Sequence, residues 1–106
     1  MSYRFMRVIV FFDLPTQTNE ERRVYRNFRK LLINKGFIML QESVYCRMAL
    51  NLTVARQLID NLKREKPKNG LVMVLVITEK QFERMEIITG EFSTDMIETD
   101  ERVVFL

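Results

Sequence analysis

The fold is decided by residues 6–15, Met-Arg-Val-Ile-Val-Phe-Phe-Asp-Leu-Pro. A run this rich in β-branched and aromatic residues, closed by a proline, predicts a buried strand that ends at Asp13. Since consecutive strand residues point to opposite faces, the apolar stretch from Val8 to Phe12 predicts that both faces of this strand are covered. The carboxylate of Asp13 then lies at the mouth of a sheet, where a metal ion, a phosphate or a helix N-terminus would be its partner.

Outward from this strand, the sequence predicts an α+β fold with the order β-α-β-β-α-β. The strands are expected at residues 5–13, 37–40, 44–48 and 71–78. A first helix is expected at residues 19–35, because Thr18 and Glu21 fit a capping box and Gly36 suits the left-handed position that follows. A second helix opens at residues 50–53 and ends in the proline turn of residues 66–70. This order is typical of a ferredoxin-like sandwich with an antiparallel sheet.

In this prediction residues 1–78 form the ferredoxin-like core, and residues 79–106 form an acidic C-terminal extension of the same single domain. A helical turn is expected at residues 79–85, with short strands at residues 87–89 and 102–105. Residues 1–70 hold 14 Lys/Arg against 6 Asp/Glu, whereas residues 71–106 hold 3 against 8. The asymmetry indicates an anion-binding body followed by an acidic segment.

Composition excludes several kinds of site. The 106 residues include no histidine and one cysteine, Cys46, so intrachain disulfides, Cys-rich metal sites and Ser-His or Cys-His nucleophiles are excluded. The N-terminus runs directly into a strand without a signal-peptide pattern, and no stretch is long and apolar enough to span a bilayer. A cytoplasmic protein without membrane partners is therefore expected.

The second face of the sheet needs a cover. Two helices cover one face of a ferredoxin-like sheet, yet residues 71–78, like the first strand, are apolar on both faces. Leaving the other face in water would forgo about 25 cal/mol per Å² and leave an aggregation-prone patch. The simplest cover is a second copy of the chain, packed sheet against sheet about a two-fold axis. The alternative is that residues 86–106 fold back over this face.

Asp13 has two interpretations. An Asp between a strand and a helix often only forms a turn with neighbouring N–H groups. As a catalytic residue and metal ligand it would need more carboxylates, because Mg²⁺ takes several oxygen ligands and no second acid lies nearby in sequence. A two-fold dimer would supply one Asp13 from each chain.

Basic residues are concentrated on the two helices, which lie on the same side of the predicted sheet. They are either a solvated helix surface or a track for the phosphates of a nucleic-acid duplex. Spacing places Arg22, Arg26 and Arg29 in one stripe of the first helix. The candidate phosphate contacts are Arg22, Arg23, Arg26, Arg29, Lys30, Arg56, Lys63, Arg64, Lys66 and Lys68.

Three segments together resemble the CRISPR-associated Cas-two family. They are Val-Ile-Val-Phe-Phe-Asp-Leu-Pro at residues 8–15, Tyr-Arg-Asn-Phe-Arg-Lys-Leu-Leu at residues 25–32, and Gly-Phe-Ile-Met-Leu-Gln-Glu-Ser-Val-Tyr at residues 36–45. The Phe-Asp-Leu-Pro and Met-Leu-Gln-Glu-Ser-Val-Tyr forms look like the branch that accompanies Cas-nine systems (type II-A). The resemblance covers nearly the whole chain.

This resemblance implies a homodimer that bridges two dimers of the integrase Cas-one, so that duplex DNA is captured and inserted into the CRISPR array as a new spacer. It also implies Mg²⁺-dependent endonuclease activity on RNA or duplex DNA, with Asp13 as the metal ligand. The family's C-terminal strands cross to the other subunit and contact the integrase. That role would fall here on Ile87, Ile88, Arg102, Val103, Val104 and Phe105. The sequence leaves scaffold and nuclease both open, with the scaffold favoured as the biological role.

Overall fold

Four strands form one antiparallel sheet in the computed structural model, which describes residues 5–91. The strands are β1 (Met6–Asp13), β2 (Ile38–Gln41), β3 (Val44–Ala49) and β4 (Leu71–Thr78). The helices are α1 (Asn19–Asn34), α2 (Leu52–Arg64) and α3 (Glu79–Glu83). The spatial order β2-β3-β1-β4 is that of the predicted ferredoxin-like sandwich, and the α+β prediction is confirmed.

Register places the residues of β1 alternately on two sides of the sheet. β1 pairs with β3 on one side and β4 on the other, so that Ile9 lies between Cys46 and Leu75. The intervening residues, such as Val8 and Val10, point to the opposite side, where α1 and α2 pack. We call the two sides of the sheet the helix side and the α3 side.

The helix side holds the main core. Both helices contribute to it, as the sequence predicts: Phe28 and Leu32 come from α1, and Ala55, Leu58 and Leu62 come from α2. The Phe12 ring lies at its centre, with its centroid 5.2 Å from that of Phe28 in an edge-on arrangement. Phe12 also contacts the ring of Tyr45, whose side chain is fully buried. These contacts fix α1 against the middle of the sheet.

Tyr45 is linked to α1 by a side chain that the sequence assigned to the basic stripe. The Nε of Arg29 donates a hydrogen bond of 2.6 Å to the Tyr45 hydroxyl oxygen, and Arg29 is half-buried. A buried phenol needs a polar partner, because an unsatisfied hydroxyl loses its hydrogen bonds to water. Arg29 therefore supports the core.

Capping interactions set the ends of α1. The predicted capping box is present, since Glu21 N–H donates to Thr18 Oγ1 (3.1 Å) and Thr18 N–H donates to Glu21 Oε1 (3.0 Å). After the helix, Gly36 has a φ of +92°, as expected for a left-handed residue. Arg47 of β3 donates to the carbonyl oxygen of Lys35 (2.8 Å), which places a cation at the negative end of the helix.

The α3 side is covered only in part. Phe82 of α3 packs over Ile9 and Cys46, which are buried. Leu71, Met73 and Leu75 of β4 remain 54%, 51% and 49% exposed. The predicted helical turn at residues 79–85 therefore exists as α3, and it covers part of this side of the sheet.

Two expectations for the C-terminal extension have different outcomes. Residues 87–89, where a short strand was expected, are irregular in the single chain. The strand expected at residues 102–105 lies outside the described residues. Within residues 5–91, the structure contains no helix with the length and apolar character needed to cross a membrane.

Gly70 sets the position of the end of β1. A Cβ at Gly70, where φ is +91°, would lie 2.6 Å from Leu14 Cδ2 and 2.8 Å from the backbone oxygen of Asp13. We expect Gly70→Ala to lower the free energy of unfolding by about 3 kcal/mol, since left-handed strain adds to the overlap. The matched control is Gly90→Ala, at a φ of +94° with no atom within 4 Å of the added Cβ, expected to cost about 1 kcal/mol. Equal losses in urea unfolding would contradict the close approach to Asp13.

Arg29 and Arg26 are expected to differ in what they contribute to stability. Arg29→Met keeps the aliphatic stem but loses the hydrogen bond to Tyr45, so we expect a loss of about 2 kcal/mol. Arg26 is exposed on the same helix, and Arg26→Met is expected to change stability by less than about 0.5 kcal/mol. Urea unfolding of the two variants measures the difference. If Arg29→Met is as stable as Arg26→Met, Arg29 is not a support of the core.

Candidate nucleic-acid interface

Asp13 is the last residue of β1 and is exposed. It pairs with Leu71 at the end of β4, and strand alternation places its side chain on the α3 side together with that of Phe11. The backbone around it is held by the close approach of Gly70. The predicted acid at the mouth of the sheet is therefore in place, next to the exposed apolar residues of β4.

One chain does not provide a complete metal site at Asp13. In the described part of the chain, no group of three or more His, Cys, Asp or Glu side chains could hold a metal ion. Magnesium takes six ligands and binds proteins through one or two carboxylates plus waters or substrate phosphates. A single Asp13 therefore does not fit a resident Mg²⁺ site, and any such site would need oxygen atoms from a second copy or from a nucleic acid.

Four of the ten candidate cations are already engaged. Arg22 donates from Nη1 to the carbonyl oxygens of Thr16 (3.0 Å) and Gln17 (3.1 Å), so it stabilises the loop before α1. Arg29 supports Tyr45 as described above. The remaining two form local contacts on their own helices, Arg23 with Glu20 and Arg64 with Asn61.

Six of the candidate cations are exposed and make no hydrogen bond or ion pair with any residue in 5–91. We call them the free cations: Arg26, Lys30, Arg56, Lys63, Lys66 and Lys68. The first two project from α1, the next two from α2, and the last two lie in the loop between α2 and β4. They therefore belong to the helix side of the molecule and to the adjoining loop.

The surface near the loop cations is electrostatically mixed. Lys66 and Lys68 line a groove of about 330 Å³, and Glu20 and Glu21 form its other wall. Nearby carboxylates weaken the positive potential there. The free cations of the helix bodies do not line this groove.

Sequence reasoning missed Arg7, the only charged residue buried within the described range. It is 5% exposed on β1 and binds Glu79 of α3 through two hydrogen bonds, Nε to Oε1 (3.0 Å) and Nη2 to Oε2 (2.6 Å). Burial acts to lower the pKa of Arg7, but the hydrogen bond to Glu79, together with the interactions with Cys46 and the negative charge of Glu79, outweighs it and holds this pKa above its ordinary value. The sequence did carry one signal of this buried ion pair, because Arg7 is the only charged residue between Met6 and Phe12 in an otherwise apolar strand.

The proposed partner-binding residues are described only in part. Ile87 and Ile88 follow α3 and are 47% and 88% exposed. Arg102, Val103, Val104 and Phe105 lie outside the described residues. Two large exposed aliphatic side chains in an irregular segment are compatible with a contact to another molecule.

Comparison with known proteins agrees with the fold and the motifs. Residues 6–85 match the family model described as CRISPR associated protein Cas2. A "CRISPR-associated endoribonuclease Cas2" of Treponema denticola is 54% identical over 101 residues, covering 95% of this chain and 100% of the relative. A protein of the same name from Streptococcus mutans is 48% identical over 101 residues, covering 95% of this chain and 93% of the relative.

A solved structure described as "Crystal structure of cas2" supports the fold independently. It superposes with a TM-score of 0.58 at 20% identity and covers 85% of this chain and 92% of the other. The family match spans β1 to α3, including Asp13 and both basic helices. The chain therefore belongs to the CRISPR-associated Cas2 family, the Cas-two family that its motifs resemble.

Proposed function

We propose that this chain is a cytoplasmic, homodimeric scaffold of CRISPR adaptation, which binds duplex DNA and bridges dimers of the integrase Cas-one while a new spacer is acquired. The observation that carries the proposal is the set of six free cations on the helix side and its loop. Cations that already have protein partners must break those contacts to bind phosphate, whereas free ones do not. The motif forms at residues 12–15 and 39–45 favour the type II-A branch.

The side chains around the free cations favour a duplex over a single strand. Single strands are held by stacking of bases on exposed aromatic rings. The aromatic residues of α1 are Tyr25 and Phe28, of which Phe28 is buried and Tyr25 is half-buried with its hydroxyl directed to the backbone oxygen of Glu42 (3.4 Å); α2 has none. Phosphate contacts alone give little sequence preference, which suits an adaptor that accepts any invading DNA.

The α3 side supports the proposed homodimer. Leu71, Met73 and Leu75 form an exposed apolar row along β4, next to Phe11 of β1. Apart from Asp13 at its end this row carries no charge, so two copies can meet across a two-fold axis without like-charge repulsion along it. Residues 86–106 are the alternative cover. Of these, Ile87 and Ile88 remain exposed.

A Mg²⁺-dependent endonuclease, cutting RNA or duplex DNA, is the second candidate function. The relatives from Treponema denticola and Streptococcus mutans carry the name endoribonuclease. Asp13 lies on the side proposed for dimerisation, so a two-fold axis passing close to it would bring a second carboxylate to the first. When bound there, Mg²⁺ would polarise a phosphoryl oxygen. Asp13 would hold the ion in this activity, which spacer integration would not require.

Removing free cations is expected to weaken duplex binding in a salt-dependent manner. In the triple variant Arg26→Ala, Lys30→Ala, Arg56→Ala, the slope of log affinity against log salt should fall by about 0.9 for each phosphate that the protein no longer neutralises. Fluorescence anisotropy of a labelled duplex between about 50 and 200 mM salt measures this slope. Duplexes of unrelated sequence should be affected equally, because phosphate contacts carry no sequence information.

The matched control for this experiment is Lys80→Ala, Arg84→Ala. Both residues are exposed on or beside α3, on the opposite side of the sheet, and the pair also lowers the net charge. The control should retain the wild-type salt slope. A triple variant that keeps the wild-type slope would contradict binding through the helix side.

Asp13→Ala separates the two candidate functions. Spacer integration in a reconstituted mixture of integrase, labelled duplex and this protein should persist, because the free cations are unchanged. Mg²⁺-dependent cleavage of RNA or duplex DNA, where wild type shows it, should disappear. Light scattering must first show that the variant is still dimeric. Loss of integration with dimer and DNA binding intact would overturn a scaffold role that is independent of Asp13.

A further inference from the structure

We propose that Arg7, Glu79 and Phe82 form a latch that holds α3 against the sheet and so sets the limits of the apolar surface on which a second copy docks. This inference rests on the homodimer proposed above. We call the three residues the α3 latch. In it, Arg7 of β1 contacts both Glu79 and Phe82 of the short helix α3.

The α3 latch is centred on the buried guanidinium of Arg7, which has few polar groups around it. Arg7 lies in the central strand, and its neighbours on the α3 side of the sheet are Met48 and Ile77. Burying a cation among apolar side chains is unfavourable unless a counter-charge and hydrogen bonds compensate. Glu79 provides both, through a bidentate contact with distances of 3.0 and 2.6 Å.

The remaining parts of the guanidinium are also engaged. Its Cζ lies 4.2 Å from the centre of the Phe82 ring, which is the geometry of a cation–π interaction. Its Nη1 is 3.7 Å from Cys46 Sγ. Glu79 and Phe82 both belong to α3, so most of the stabilisation of this buried charge depends on where α3 lies.

The helix in turn depends on the latch. With five residues, α3 is too short to be stable alone, because helix nucleation is unfavourable and is repaid only by longer helices or by packing. A capping box between Thr78 and Gln81 sets its start, and Glu79 N–H donates to the backbone oxygen of Phe5 (3.0 Å). These contacts define where α3 begins. The side chains of Glu79 and Phe82 then hold the helix against the sheet through their contacts with Arg7.

The position of α3 divides the α3 side of the sheet into two parts. Phe82 covers Ile9 and Cys46, and the row of Leu71, Met73 and Leu75 on β4 stays exposed. A uniformly exposed apolar sheet would accept a second sheet in several registers. With α3 in place, the part of this side around Ile9 and Cys46 is covered, while the β4 row and Met48 of β3 stay exposed. The latch therefore keeps the region around Ile9 and Cys46 out of the docking surface and reduces the number of positions in which a second copy can pack.

Cys46 is a native reporter of this arrangement. It is the only cysteine in the chain, and it is fully buried beneath α3. Because Cys46 is buried in one cluster with Phe82 of α3, we expect a thiol reagent such as dithionitrobenzoate to reach it when α3 lifts from the sheet. Protection by α3 does not depend on protein concentration, whereas protection by a second copy does, so a dilution series separates the two.

The test is Glu79→Gln, which removes the counter-charge and keeps the side-chain size, with Glu83→Gln as the matched control on the exposed side of the same helix. We expect Cys46 in Glu79→Gln to react about tenfold faster or more, and the dimer to weaken by a similar factor in sedimentation equilibrium. Glu83→Gln should match wild type in both. Phe82→Ala, in which Arg7 and Glu79 remain paired, should also accelerate the reaction of Cys46.

The possible outcomes separate the latch from the dimer. If Cys46 reacts at the wild-type rate in both Glu79→Gln and Phe82→Ala, α3 is not held by these residues and the latch is overturned. If Cys46 becomes reactive but dimer affinity is unchanged, α3 does not limit the docking surface. If the wild-type chain is monomeric at every concentration, the homodimer fails, and the docking role with it. The Cys46 rate then still decides whether the latch holds α3.

Discussion

The two-sided alternation of β1 is the constraint on which the rest of the structure depends. The strand is central, so each residue must serve one of two apolar layers, the core under α1 and α2 or the smaller layer under α3. A shift of one residue would exchange the layers and move Asp13 to the helix side. Since both layers are apolar and Asp13 and Arg7 need particular surroundings, packing specifies the observed register of β1 against β4.

Arg7 shows what the same constraint imposes on a charged residue. Its place in β1 directs the guanidinium to the α3 side, where the nearest side chains are mostly apolar. The fold satisfies it by turning the chain back directly after β4, so that Glu79 meets it from the first position of α3. The same turn brings Phe82 over Ile9 and Cys46 and leaves the β4 row uncovered. A local electrostatic requirement thereby shapes the surface available for association.

Sequence patterns were sufficient to predict the helices and strands, but not the side-chain contacts between residues far apart in sequence. The strands, both main helices and the Thr18 capping box follow from periodicity and local chemistry, and their predicted bounds are within a few residues of those observed. The engagement of Arg29 could not be predicted, because its acceptor, Tyr45, lies on another element. The Arg7–Glu79 pair spans 72 positions and leaves no periodic signal. At the candidate site, the position of Asp13 at the end of β1 was predictable from Pro15, which follows it closely. The number of carboxylates near Asp13 was not, because it depends on how chains assemble.

The geometry of a single protomer separates the two candidate functions. Arg26, Lys30, Arg56 and Lys63 project from helices on one side of the sheet, and alternation directs Asp13 to the other. A duplex held by the helix cations of one protomer therefore does not need the Asp13 of that protomer for its binding. The proposed cleavage would instead require a nucleic acid to reach the Asp13 carboxylates of two chains, whose mutual repulsion a bound cation would reduce. Duplex binding and cleavage thus make different demands on the same fold: the proposed duplex binding would use one surface of one chain, whereas the proposed cleavage would need a carboxylate from each of two chains.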